Sequence, residues 1–195
     1  MNRENTPRNL INLLDMDDEF IIDLKYATAD NFTHEIIYQT DKCYIDRNTA
    51  LKLINAKNLA KKERNLRIKV WDAFRPISAQ QRFWDILPDN NFVAYPPDMD
   101  TLKEFKNSHM NGQCVDVTLV NRDGSEIPMP SGFDDFSEKA RLDYSGTTGT
   151  PRENGEYLRD IMVKSGFTPY EGEWWHFYDH ETKPVRYSDL SILTT

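Results

Sequence analysis

Only two cysteines, Cys43 and Cys114, and four histidines stand among the 195 residues. Two cysteines can make at most one bridge, so neither a disulfide scaffold nor a cysteine-rich zinc module is available. Positive charge is also short: 24 Lys and Arg face 32 Asp and Glu, a net charge of −8. A phosphate backbone or an anionic membrane needs clustered positive charge, so neither is expected as a partner. The one basic cluster, Lys61, Lys62, Arg64, Arg67 and Lys69, lies among helix and strand signals and reads as a solvated face. No window approaches the roughly 18 apolar residues of a membrane span, and the N-terminal MNRENTPRNLINLLDMDDEF has no apolar stretch of signal-peptide length. A cytoplasmic protein is therefore expected. Repeats, low-complexity tracts and linkers are missing too, and no heptad or long apolar edge marks an oligomer interface.

What is present suits one domain over residues 1–195, with 1–19 as an N-terminal extension, because about 150 residues per domain is ordinary. A chain of 22.9 kDa buries roughly 70% of its open surface on folding, enough for a core without staples. Phe20, Ile22, Leu24 and Tyr26 alternate with polar or partnering positions and predict a strand. Asn48 reads as the cap of a helix running to about Arg64, with Ala50, Leu53, Ile54, Ala56, Leu59 and Ala60 on one face. Leu66, Ile68 and Val70 predict a strand that stops at Arg75-Pro76, and Ser78 can cap a short helix carrying Phe83, Trp84 and Leu87. A loop follows, from Pro88 to about Asn107. Cys114 to Val120 is the most strand-like run, with Val115, Val117 and Leu119 on one face and Cys114, Asp116 and Thr118 on the other. After a turn-rich stretch, Tyr157, Leu158, Ile161 and Met162 predict a helix closed by Gly166, and the aromatic run Phe167 to Tyr178 reads as strand. Strands and helices do not alternate regularly. The expected class is thus α+β, a central, mostly antiparallel sheet with helices packed around it.

Two short clusters concentrate the reactive residue types. In Ser108-His109-Met110-Asn111-Gly112-Gln113-Cys114-Val115-Asp116, a turn through Asn111-Gly112 lets His109 and Asp116 reach one point. In Glu173-Trp174-Trp175-His176, a carboxylate precedes a histidine by three positions. Two imidazoles and one carboxylate make a three-ligand zinc site with a fourth position open to water, and Glu173 is left over as a base. Against this, a buried strand histidine bonded to a carboxylate is the commoner arrangement. Strand alternation also puts Glu173 and His176 on opposite faces, so a common site needs a bulge or a turn there.

The clusters resemble the paired signatures Ser-x-His-x-x-Gly-x-Ala-x-Asp and Glu-x-x-His of the zinc D,D-peptidases, and more closely the VanX-type D-alanyl-D-alanine dipeptidases. Lys25-Tyr26-Ala27-Thr28 with Asp30-Asn31-Phe32, then Trp71-Asp72-Ala73-Phe74-Arg75-Pro76, Phe133-Asp134, Ser165-Gly166-Phe167 and Glu173-Trp174-Trp175-His176 follow the order of that family. The resemblance covers roughly residues 20 to 180. It implies one zinc ion per chain, held by His109, Asp116 and His176, with Glu173 as general base and Arg75 stabilising the oxyanion. It also implies that Asp134, assisted by Tyr26, holds the ammonium of a free dipeptide, and that Phe83 and Trp174 line the pocket. The implied reaction is hydrolysis of D-Ala-D-Ala to two D-alanines, serving either glycopeptide resistance by depleting a cell-wall precursor or D-alanine salvage.

Two positions depart from the pattern. Asn107 stands where the family has a serine thought to meet the substrate carboxylate, which bears on affinity and on the second substrate residue. Cys114 replaces an alanine; it reads either as a small buried residue or as a point of sensitivity to oxidation and soft metals. Two other functions fit the same signatures: a D,D- or L,D-carboxypeptidase acting on cell-wall peptides, and a zinc-binding module without catalysis. The absent signal peptide and Asp134 disfavour the first, and a base and an arginine that a module does not need disfavour the second.

Overall fold

The order in which short apolar runs and polar turns follow one another gives seven strands and three α-helices among the described residues of the computed structural model, 9–90, 92–96 and 108–183. The strands are β1 (Leu10–Asn12), β2 (Ile21–Ile22), β3 (Tyr44–Asp46), β4 (Arg67–Asp72), β5 (Cys114–Val120), β6 (Thr168–Tyr170) and β7 (Glu173–Tyr178). The helices are α1 (Arg47–Arg64), α2 (Ile77–Ile86) and α3 (Gly149–Lys164). Five strands form one sheet in the order β2-β4-β5-β7-β6, and β1 and β3 make a separate antiparallel ribbon. Only β2 and β4 run parallel; the other pairings in the sheet are antiparallel. The architecture is the expected α+β, a mixed and mostly antiparallel sheet.

Strand β5 is buried along its whole length, and its two faces divide as the alternation predicts. Val115, Val117 and Leu119 join a core that takes in Leu53 and Ala56 of α1 and Leu158 and Ile161 of α3. Cys114 and Asp116 look into a cleft on the opposite face. Burying apolar side chains at roughly 25 cal/mol per Å² makes this α1-α3-sheet layer the main source of stability and fixes the register that the polar face then uses.

Several boundaries differ from the sequence expectation. The alternation over 20–26 yields only a two-residue strand, because Lys25–Ala27 turns into a 3-10 helix that buries Tyr26. Asp46, rather than Asn48, caps α1, its Oδ1 accepting from the Asn48 N–H at 2.8 Å. Helix α2 starts at Ile77 behind Pro76, whose fixed φ suits a helix start, so Ser78 lies inside the helix and does not cap it. Helix α3 begins at Gly149, well before Tyr157, since its first two turns are polar and show no apolar period. It closes as predicted, with Gly166 at φ +93° donating to Val163 and Phe167 donating to Met162. The run Phe167–Tyr178 is a hairpin of two strands. From residue 10 onward the segment read as an N-terminal extension is built into the fold: β1 pairs with β3, and Leu13 is fully buried.

Candidate active site

The cleft is assembled by strand register. Asp72, Asp116 and His176 lie opposite one another across β4, β5 and β7, forming a row along one line of the sheet. His109 reaches the same point from a 3-10 turn, His109–Asn111, that Ser108 caps and Gly112 ends. Gly112 has φ +65°, and a Cβ there would lie 2.9 Å from the Asp46 amide nitrogen. The Gly112 carbonyl accepts from that amide at 3.0 Å, so only glycine lets the turn dock on β3 and aim His109 at β5.

Three residues bring their ligand atoms together, Asp116 meeting one histidine with each of its carboxylate oxygens. His109 Nε2 and His176 Nδ1 are 3.2 Å apart, His176 Nδ1 and Asp116 Oδ1 2.9 Å, and His109 Nε2 and Asp116 Oδ2 3.4 Å. A tetrahedral ion with bonds of about 2.0–2.1 Å has ligand edges of about 3.3 Å, so the triangle fits a divalent cation. His109 Nδ1 donates to the Ala73 carbonyl at 2.7 Å, which leaves Nε2 a bare lone pair pointing at another ring nitrogen and a carboxylate. Three electron-pair donors with so few protons between them call for a cation. When the imidazoles carry protons, His109 foremost, their charge outweighs the cost of burial and holds the Asp116 carboxyl well below the usual carboxylate range; a bound cation would take over that stabilisation. Among the described residues this is the one cluster with metal-ligand geometry.

Glu173 sits beside the triangle, its Oε2 3.9 Å from His176 Nδ1. The bulge that the spacing requires is there: Tyr170 pairs with Glu173 while Pro169 pairs with Phe177, so the β7 backbone buckles between the two and brings Glu173 and His176 to one side. Desolvation inside the cleft, with Asp116 and Asp134 close by, pushes the Glu173 carboxyl up to about 7, although 34% of its side chain stays open to the cleft. A bound divalent cation would draw that value down, leaving a carboxylate placed to accept a proton beside the site.

Arg75 lines the same cleft and is held by Asp72, with Nε and Nη2 donating to Oδ2 at 3.1 and 2.8 Å. Asp72 is fully buried and also accepts from Tyr38 Oη at 2.6 Å and from the Ala73 amide at 2.8 Å. On the facing wall, Tyr26 Oη donates to both Asp134 oxygens at 3.1–3.2 Å. Burial and the Asp116 charge push the Asp134 carboxyl up to about 7, a value that a bound divalent cation or ammonium would draw down. Phe83 is buried against Tyr26, their ring centroids 4.5 Å apart, at the edge of the cleft. The cleft has a volume of about 660 Å³.

The peptidase M15 profile described as D-ala-D-ala dipeptidase matches residues 7–191. The chain belongs to the D-Ala-D-Ala dipeptidase family. That is a family of metallopeptidases, in keeping with the ligand triangle. It is 34% identical over 185 residues to the D-alanyl-D-alanine dipeptidase of Enterococcus faecium, covering 87% of this chain and 91% of the relative. To the D-alanyl-D-alanine dipeptidase of Escherichia coli (strain K12) it is 31% identical over 156 residues, 80% of this chain and 77% of the relative. No helix among the described residues is long and apolar enough to cross a membrane.

Of the residues singled out from sequence, the fold brings His109, Asp116, His176, Glu173, Arg75, Asp134, Tyr26 and Phe83 to one cleft. Trp174 is placed elsewhere. It packs on Trp71, donates from Nε1 to Ser131 Oγ at 2.9 Å and borders a different pocket, while Trp175 lines the cleft. The same buckle in β7 that unites Glu173 with His176 decides which tryptophan faces inward. Asn107 lies outside the described residues. Cys114 is buried, and burial pushes its thiol well above the usual range, which fits a packed residue better than a reactive thiolate. Sequence reasoning passed over Tyr170, whose ring meets His176 edge-on at 5.6 Å, and Gln80, a buried amide among apolar residues of α2.

Proposed function

We propose that the chain hydrolyses D-Ala-D-Ala to two D-alanines with one zinc ion held by His109, Asp116 and His176. The observation that carries this reading is the convergence of that triangle with Glu173 and Arg75 in a cleft that also holds Asp134. Bound zinc supplies an acidified water and a polarised carbonyl. Glu173 takes the proton of the attacking water and hands it to the departing amine, a transfer that its position supports. Arg75, fixed by Asp72, offers N–H donors to the carbonyl oxygen as negative charge grows on it. Asp134, steadied by Tyr26, pairs with the substrate ammonium, and Asn107 takes the carboxylate on the strength of its place in the family signature.

Release of free D-alanine from D-Ala-D-Ala by the zinc-loaded protein is the test, with a pentapeptide ending in D-Ala-D-Ala alongside. Turnover of the dipeptide alone is expected. Equal turnover of the pentapeptide would make the protein a carboxypeptidase, and turnover of neither would leave another dipeptide, with Asn107 as the reason, or a binding module.

Asp134→Asn gives a sharper check on the ammonium contact. Asp134 has φ +54°, a left-handed conformation that asparagine tolerates equally well, so the variant is expected to keep its fold. Losing a charge-assisted pair is worth about 1.5–3 kcal/mol, so KM should rise roughly ten- to a hundred-fold with a smaller change in kcat. The sign with pH follows from the raised carboxyl: below about 7 it takes up a proton and stops pairing. KM of the parent protein should therefore rise as pH falls through 7 or somewhat below, and KM of the variant should stay flat over that range. A variant with unchanged KM would remove Asp134 from substrate binding.

A further inference from the structure

We propose that Gln80, on α2, is a positioning residue for Arg75 and links the guanidinium to the cleft-lining segment that carries Ala94; this rests on the reading of Arg75 as the oxyanion donor. Gln80 is 2% exposed on a helix face otherwise buried through Ala79 and Phe83. An uncharged polar group in such a place destabilises the fold unless both ends are bonded, and here both are. Its Oε1 accepts from Arg75 Nη1 at 2.9 Å, and its Nε2 donates to the Ala94 carbonyl at 2.7 Å. A guanidinium nitrogen can only donate and a carbonyl can only accept, so the two partners fix which end of the amide points where.

The donor count shows what this does. Arg75 has five N–H groups. Asp72 takes one from Nε and one from Nη2, and Gln80 takes one from Nη1. Counting only these bonds among the described residues leaves one N–H on each terminal nitrogen, the number a single oxyanion can use, with the Tyr38 hydroxyl also close to the guanidinium. Asp72 alone grips one side of the guanidinium and leaves the plane free to swing about that contact. Gln80 grips the other terminal nitrogen and stops the swing. The rings of Tyr26 and Phe83, with centroids 5.5 and 5.0 Å from Arg75 Cζ, pack beside it but offer no direction.

The second bond extends the linkage. Ala94 belongs to a segment in which Val93 is buried and Phe92 meets Phe136 across the cleft, ring centroids 4.9 Å apart. Phe136 follows Asp134 by two residues. The side of the cleft that carries the ammonium anchor and the guanidinium that meets the carbonyl thus share one chain of contacts through Gln80.

A double-mutant cycle tests this, using Gln80→Leu, Arg75→Ala and the pair in the zinc-loaded protein, with bound zinc and thermal midpoint measured for each. Arg75→Ala is expected to lower kcat about a hundred-fold, as loss of an oxyanion donor does. Gln80→Leu should lower kcat about ten- to fifty-fold, the range for one bond to a charged group, with KM within about three-fold and zinc content unchanged. In the Arg75→Ala background the same change should remove no more than about two-fold, because there is no guanidinium left to orient. If Gln80→Leu does not yield folded protein, Gln80→Met, nearly the same length and without the amide, takes its place. Equal losses in both backgrounds, or a Gln80 variant with parental kcat, would overturn the proposal. A silent Arg75→Ala is a different result: it removes the role given to Arg75 and takes this proposal down with it.

Discussion

Glu173→Gln is expected to lower kcat for D-Ala-D-Ala by about a thousand-fold, within the range for loss of a general base, while zinc stays bound. Glutamine keeps the length and shape of the side chain but cannot accept a proton. Glu173 touches the triangle only through its 3.9 Å approach to His176 and contributes none of the three converging atoms, so the cation has no reason to leave. The measurement is kcat and KM with zinc quantified on the same sample. Loss of zinc with loss of activity would mean that Glu173 is a ligand, and parental kcat would mean that another group takes the proton. A fall in kcat with zinc retained and KM nearly unchanged is the signature of an interaction made only in the transition state.

Removal of the cation is the second large effect. Chelation should abolish turnover, and zinc should restore it. Stability should fall too, because the native chain alone holds the three donors together. A ligand present at a thousand times its dissociation constant stabilises by about 4 kcal/mol. For a chain of this size that corresponds to a thermal midpoint lower by roughly 8–16 °C in the chelated protein. Without the positive charge, Asp116, Asp134 and Glu173 face one another in a poorly solvated cleft. Asp134 and Glu173 have carboxyls raised to about 7, and a raised acid adds stability below its ordinary value and loses it as pH climbs through the raised one. The gap in midpoint between chelated and loaded protein should therefore widen from pH 6 to pH 8. A midpoint insensitive to chelator at both values would mean that the triangle binds no cation.

Much of this site could be read from the residues alone, and the parts that could not share a cause. Cys114–Val120 alternates over seven residues and is a strand with those bounds. His109, Asp116 and His176 stand in short, recognisable clusters, and register does the rest. The ribbon β1–β3 escaped because three-residue strands are too short to show a period. The β7 buckle was demanded by Glu173 and His176 yet could not be located, which left the choice between Trp174 and Trp175 open to error. Gln80 carried no signal, since a glutamine in an amphipathic helix looks like a surface residue until the packing shows otherwise.

The row Asp72–Asp116–His176 exists only when β4, β5 and β7 lie side by side, and the two histidines of the candidate metal site are 67 residues apart in the chain. In an unfolded chain only His109 and Asp116 stay near each other and His176 is remote, so a metal finds a weak grip there. On the reading proposed above, an ion would join a pocket that long-range strand pairing has already built, rather than seed the fold as it does in a zinc finger. Protein prepared without the ion is therefore expected to be folded and idle, and to gain activity when zinc is added, with no refolding step in between.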